Sequence, residues 1–440
     1  MNATEAALTP DEHALLLDLL RLPTAGPLEA GEGDPPAELW AAGRRYARAA
    51  QALGLTVLSH APPEPAAVRS GPLPAPVAAG LADPAFLAGQ PSLLLRLGPP
   101  LPRAATVMCN VHLDTVAGRE PVGFDGARFT GRGAVDAKGP AVALLAGVRA
   151  AMAREPAVGR STAVLVQAVA GEEGGALGTI GTRPLVAAGH VGRINLFCEP
   201  TGGRLLTRVS AAATARITVR GEDAVDDRPG AGHNATVLLG FLAQHLAHAL
   251  DSGRRPAASA PCVAGLHTGH LHNRVHGGGT LLLNLPYRRA AEGAALERAL
   301  ADALTAGLAA FRRRFAGTAE FARTARDAAA ITRLDWDKRG LPTLESADPW
   351  AEELLARAGA RPWPAEEPPF TCDALWLADH PDTFTAVLGP GSLDANHAHA
   401  AGEFVDVADL DDFAETIAHT LVAFARDRAA ATPTPEESRR

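Results

Sequence analysis

The sequence predicts an α/β protein: a central sheet flanked by helices, with a separate α+β unit inserted between its two parts. Two observations lead there. From residue 106 onward, short apolar runs alternate with longer helical segments, the pattern of strands covered by helices. A stretch of different texture, about 210–328, then interrupts this alternation, and the first texture returns after it. The expected division is therefore residues 1–209 and 329–440 as two parts of one domain, with 210–328 inserted. A chain of 440 residues has room for this, since a domain takes roughly 100–200 residues. Gly 44 and Pro 35 together stay below the share expected of a low-complexity chain, about 25–30%.

Taken in order, Thr9-Pro10-Asp11-Glu12 offers an N-cap, a proline in the first turn and a glutamate that closes a capping box, so a helix runs to about 22. A second helical pattern covers 36–53, and Gly54 ends it before a strand at 55–58. Between Ala61 and Arg103 eleven prolines predict surface loop around a single strand, 92–97. Strands follow at 106–111, 162–170 and 194–198, with a helix at 140–152. The inserted unit reads as strand 214–220, helix 234–250, strand 280–284 and helix 297–315. The return brings a helix at 349–358, a strand at 383–388 and a closing helix at 408–426, before a polar, proline-bearing tail frayed from about 430.

Charge and composition exclude several function classes. The net charge of −8 carries no basic block, so no footprint for nucleic acid is present. No apolar run reaches the length of a membrane span, roughly 18 residues. The first residues lack the basic and apolar regions of a secretory signal, which predicts a cytoplasmic protein. Cys109, Cys198, Cys262 and Cys372 stand far apart, without the spacing of a zinc finger or redox pair, and are expected as reduced thiols.

Acids and histidines gather just past predicted strand ends, where the edge of an α/β sheet collects its chemistry. His112-Leu113-Asp114 follows strand 106–111, and a ligand imidazole is commonly supported by a carboxylate. Asp136 sits in the glycine-bounded turn Gly131 to Gly139, where it could bridge cations or simply cap the next helix. Glu172 and Glu173 adjoin in a glycine turn, an arrangement that repulsion disfavours unless cations or solvent separate their roles. Glu199 ends a further strand, and His397 and His399 lie in a late loop before Glu403. Together, His112, Asp136, Glu173, Glu199 and one late histidine form a mixed N/O set suited to a pair of zinc ions.

As an ordered set, these segments resemble the di-zinc metallohydrolases that include acetylornithine deacetylase, succinyl-diaminopimelate desuccinylase, aminoacylase and the glutamate carboxypeptidases. The resemblance covers most of the chain. It rests on His112 to Val116, Gly131 to Gly139, Gly171 to Gly174, Glu199-Pro200-Thr201, and the block from Gly389 to Glu403. It implies a zinc-peptidase-like catalytic domain and a lid and dimerisation domain at 210–328. The implied cofactors are two Zn2+ per chain, with Co2+ or Mn2+ as substitutes. His112 and Glu199 then hold one ion, Glu173 and His399 the other, and Asp136 bridges them, with a cis peptide after it. His399 is preferred to His397 because the family places its histidine four residues before a glutamate such as Glu403. Asp114 orients His112. Glu172 is the implied general base, acting on water activated by the zinc pair to cleave the amide bond of an N-acyl amino acid or small peptide. Asn273 and Arg288 are the implied substrate residues, Arg288 as a carboxylate clamp. Within this resemblance, Gly131 to Pro140 looks particularly like enzymes that release lysine from an amino-group carrier protein.

Two departures stand out. Relatives carry a lid histidine where this chain has Val225, which cannot donate to a developing oxyanion. His233, His267, His270, His272 and His276 are candidate replacements; His270 and His272 would share one strand face, as a ligand pair would, but surface or hydrogen-bonded histidines are the favoured reading. The segment Asn284 to Arg288 also spaces its Asn and Arg more widely than relatives do. These departures motivate a competing class, a non-catalytic binding protein on the same fold.

Overall fold

In the computed structural model, residues 5–251 and 260–431 are described; all but the first residues of the frayed tail expected from about 430 fall outside them. The chain divides into two compact units, one of residues 5–71, 76–209 and 344–431, the other of 72–75 and 210–343.

The first unit is built on a six-stranded sheet in the order Thr56–Ala61, Ser92–Leu97, Ala163–Val169, Thr106–His112, Ile194–Phe197, Phe384–Val387. The first two pairings are antiparallel and the other three parallel. Strands Ala163–Val169 and Thr106–His112 are buried at every position, which explains their continuous apolar character. Because the last four strands run the same way, the residues that follow each of them leave the sheet at one edge.

Helix Pro10–Leu20 starts as its sequence dictates. Thr9 caps the Glu12 N–H, and the Glu12 carboxylate returns to the Thr9 N–H at 2.7 Å. Helix Lys138–Arg154 has 13 of its 17 residues buried, so it is a core element rather than an amphipathic surface helix. It packs on the closing helix Val407–Ala431. Gly147 permits that approach, since a Cβ there would lie 2.7 Å from the Ala414 carbonyl oxygen.

The region 61–103 differs from expectation. Instead of loop it forms three short helices, Pro65–Arg69, Ala75–Gly80 and Pro84–Ala88, around the expected strand, and that strand is buried inside the sheet. Two of the prolines open helices, where a missing N–H costs nothing, and Asp83 caps the third helix through the Ala85 N–H at 2.8 Å.

The second unit is an antiparallel sheet in the order Cys262–His267, Gly278–Tyr287, Ala211–Arg220, Thr332–Lys338, with helices Ala235–Leu250, Ala290–Phe315 and Ala322–Ile331. Strand Ala211–Arg220 alternates buried and open positions, as one covered face requires. The unit runs on to Thr343 rather than stopping at 328, because Thr332–Lys338 pairs with Ala211–Arg220. His270 and His272 share no strand face; they lie in the loop after Cys262–His267.

Candidate metal centre

His112 is the last residue of its strand and 1% exposed. Its Nε2 lies 2.8 Å from Asp136 Oδ1 and 3.7 Å from Glu199 Oε2. Asp136 ends the glycine-bounded turn before helix Lys138–Arg154, and its peptide bond to Ala137 is cis. Its second oxygen, Oδ2, lies 2.9 Å from His399 Nε2, which in turn is 3.0 Å from Glu173 Oε1. Ligand atoms of His112, Asp136 and Glu199 fall within 4.8 Å of one another, as do those of Asp136, Glu173 and His399. Asp136 thus belongs to two adjacent clusters. His397 belongs to neither; its ring sits edge-on against Phe404.

The support of His112 differs in detail from expectation. Its Nδ1 meets the backbone carbonyl of Asp114 at 2.9 Å, whereas the Asp114 carboxylate stands 3.7 Å away. That carboxylate instead accepts the Glu173 N–H at 3.0 Å. Asp114 therefore orients the imidazole through its main chain and the Glu172–Glu173 turn through its side chain.

Burial and crowding set the electrostatics. Burial pushes Glu173 and Glu199 up to about 7, although nearby imidazoles pull the other way. Glu172 is raised well above the usual range by burial and by the charges of Glu173 and Glu199. Burial opposes charge on Asp136, but hydrogen bonds from His112 and His399 overcome it and hold the carboxyl below its ordinary range. Hydrogen bonds to Asp136 and Glu173 raise His399 to about 10. Asp114 Oδ1 is buried without a hydrogen-bond partner, and Glu173 Oε1 is buried beside the His399 imidazole. Buried carboxylates crowded together, with two imidazoles facing one shared acid, are the donor set that cations complete, so the residues present fit a metal pair.

One residue escaped the sequence reading. Asp373, wholly buried, brings a carboxylate oxygen within 4.8 Å of those of Glu172 and Glu199. It accepts a hydrogen bond from Thr182, whose hydroxyl also accepts from Asn110 at 2.9 Å. Burial pushes it up to about 6. A lone acid after a cysteine, opening a 3-10 turn, carries no local signal.

Asn273, Arg288 and Val225 belong to the second unit. Asn273 lies in an exposed turn, Arg288 is exposed just beyond strand Gly278–Tyr287, and Val225 is 55% exposed on a short strand paired to Arg274. His233 is committed within its own unit, its Nδ1 accepting the Glu222 N–H at 2.9 Å and its Nε2 3.2 Å from Asp327.

Comparison with known proteins agrees with this geometry. The profile described as Peptidase family M20/M25/M40 matches residues 108–423. A protein of Aeropyrum pernix that carries the proposed name LysW-lysine/LysW-ornithine hydrolase is 35% identical over 136 residues, a match spanning 31% of this chain and 37% of that relative's length. An M20 family metallo-carboxypeptidase of Sulfolobus solfataricus superposes with a TM-score of 0.68 at 11% identity, covering 95% of this chain and 100% of the other. A Bacillus subtilis protein described as a dinuclear metal binding peptidase superposes with a TM-score of 0.58 at 12% identity, covering 94% and 97%.

Proposed function

Because this chain belongs to peptidase family M20/M25/M40, we propose that it is a metal-dependent hydrolase that cleaves the amide bond of an N-acyl amino acid or small peptide. The observation that carries the reading is Asp136, whose two oxygens face two imidazoles, His112 at 2.8 Å and His399 at 2.9 Å. In this reading His112 and Glu199 hold one ion, Glu173 and His399 a second, and Asp136 is shared. The mixed N/O donors suit zinc, with cobalt or manganese as substitutes. When bound, the ions polarise the scissile carbonyl and make water more acidic.

Glu172 is the proton carrier. It takes a proton from the attacking water and hands it to the leaving amine nitrogen. Its proton affinity, raised by burial and by Glu173 and Glu199, favours that acceptance. Asp114 keeps the Glu172–Glu173 turn in place through the Glu173 N–H. Asn273 and Arg288 are assigned to the substrate, Arg288 by the fork of its guanidinium on a free carboxylate. The second unit serves as lid and dimerisation surface. The name of the A. pernix relative adds LysW-linked lysine and ornithine to the substrates worth testing. The four cysteines, all unpaired, fit a reducing, cytoplasmic setting. Among the described residues no helix is long and apolar enough to cross a membrane.

A binding role without turnover is the second reading, favoured by Val225 in place of a hydrogen-bonding lid residue. The deciding experiment loads the protein with zinc and measures amine release from a panel of N-acyl amino acids and dipeptides, before and after chelation. Turnover that chelation abolishes and zinc restores is the expected result. Equal turnover in the chelated protein would contradict the proposal.

A further inference from the structure

The two clusters around Asp136 are anchored by different means. His112 ends a strand paired on both sides, with Ala163–Val169 and with Ile194–Phe197, and Glu199 follows the second of these. Sheet hydrogen bonds hold both. His399, in contrast, sits in the loop 397–403 with its side chain 49% exposed and its backbone at φ +63°. His397, two residues earlier, also lies at positive φ, +56°. Side chains rarely adopt this left-handed conformation unless their surroundings impose it.

A buried ion pair contacts this loop. Glu403, 1% exposed, accepts Arg132 Nη1 at 2.7 Å through Oε2. Through Oε1 it accepts the backbone N–H of Val135 at 3.1 Å and of Asp136 at 3.3 Å. Arg132 Nη2 reaches back to the carbonyl of Ala400, beside His399, at 3.2 Å. The Gly131 N–H donates to the Glu403 carbonyl at 3.1 Å, and Glu120 accepts the Gly402 N–H at 2.8 Å. The pair thus joins the turn that carries Asp136 to the loop that carries His399, alongside the direct His399–Asp136 contact at 2.9 Å.

We propose that Arg132 and Glu403 are positioning residues that hold the His399 loop against the Asp136 turn, so that the Glu173–His399 metal site depends on them and the His112–Glu199 site largely does not. This rests on the two-metal reading above. Removing one partner of a buried pair leaves the other charge uncompensated, so the effect reaches the loop even when the fold survives. Neither residue touches an ion. Both act through Asp136 and His399.

The test uses the full chain, stripped of metal, as wild type, Glu403→Gln, Arg132→Lys and His399→Ala. Zinc is titrated against a chromophoric chelator, bound ions are counted by elemental analysis, and thermal unfolding of the metal-free proteins is recorded. Gln keeps an oxygen for the Val135 and Asp136 amides but loses the ion pair. Lys keeps the charge but not the fork that spans Glu403 and Ala400. Each should weaken one of the two ions by about 10- to 100-fold, the range seen when partners of metal ligands are altered. The other should stay within about threefold. Loaded with one equivalent of Co2+, both variants should match the absorption spectrum of singly loaded His399→Ala. Unchanged affinity for both ions, or equal weakening of both, would overturn the proposal, and a lowered unfolding temperature beside equal weakening would mark the pair as structural only. If Glu403→Gln fails to fold, Arg132→Lys gives the same readout. A wild type that binds no second ion would contradict the two-metal reading itself, a separate outcome.

Discussion

The first unit buries His112, Asp136, Glu173, Glu199, Asp373 and Glu403 to less than one-tenth exposure, whereas in the second unit the buried polar side chains, Tyr287 aside, are His233 and Thr324 among the described residues. Both of these have partners, His233 through Glu222 and Asp327 and Thr324 through the Asn234 N–H. In the first unit Asp114 and Asp373 retain carboxylate oxygens with none, whereas the unpartnered buried side-chain atoms of the second unit belong, among the described residues, to an imidazole, His276, and a hydroxyl, Thr332. The ion pairs of the second unit lie near the surface, as Arg274–Asp223 does with both side chains at least 41% exposed. Such pairs contribute about 0–1 kcal/mol. Burying a charge without a partner is costly, so a chain tolerates it where a ligand will supply what is missing. The contrast teaches that the chemistry is concentrated in the first unit, while the second unit is built for folding and for whatever contacts its surface makes.

The sharpest way to break this contrast is Asp136→Ala. It should abolish turnover and reduce bound metal from two ions to less than one, read by elemental analysis. Two ions retained would place the ligands elsewhere.

A second test is the pH dependence of metal uptake. Without metal, Glu173 and Glu199 titrate near 7 and His399 near 10, so around pH 6 all three carry protons that an ion must displace. The metal-free form binds more protons than the loaded form, so affinity must rise with pH, by about tenfold per unit for each proton released. Calorimetry in two buffers of different ionisation enthalpy counts those protons. Affinity that falls between pH 6 and 8 would contradict the assigned ligands.

In the second unit the expected effects are structural and smaller. His233→Ala should cost about 2 kcal/mol in a urea melt by removing a buried imidazole and the acceptor of the Glu222 N–H, with two ions still bound. A lost ion would extend the metal chemistry into that unit. Val225→Ala is the smallest change, within about 0.5 kcal/mol in stability and about twofold in turnover. A tenfold fall in turnover would show that the exposed strand takes part in catalysis.

What the sequence revealed follows the same division. The parallel strands announced themselves through continuous apolar runs, and with them the acids and histidine at their ends, His112, Glu173 and Glu199. His399 and the pairing of ligands came from the family-like spacing to Glu403, because nothing local separates His399 from His397. Asp373 was missed because its meeting with Glu172 and Glu199 is made by the fold across about 200 and 170 residues of chain. Thr332–Lys338 was missed as a strand because TRLDWDK is half-buried and charged, and its partner strand lies more than 100 residues earlier. The helices of 61–103 were hidden by prolines that read as breakers but occupy first-turn positions. The role of the Asp114 carbonyl was beyond reach for another reason, since side-chain identity says nothing of where the main chain points.

The measurement closest to the central claim compares Glu172→Gln with the wild type, both loaded with zinc, for metal content and for turnover of the best substrate in the panel. A residue that carries the proton but does not hold the metal should leave two ions in place while turnover falls by about 10²–10⁴-fold. Two bound ions with turnover within about tenfold of wild type would remove Glu172 from the mechanism.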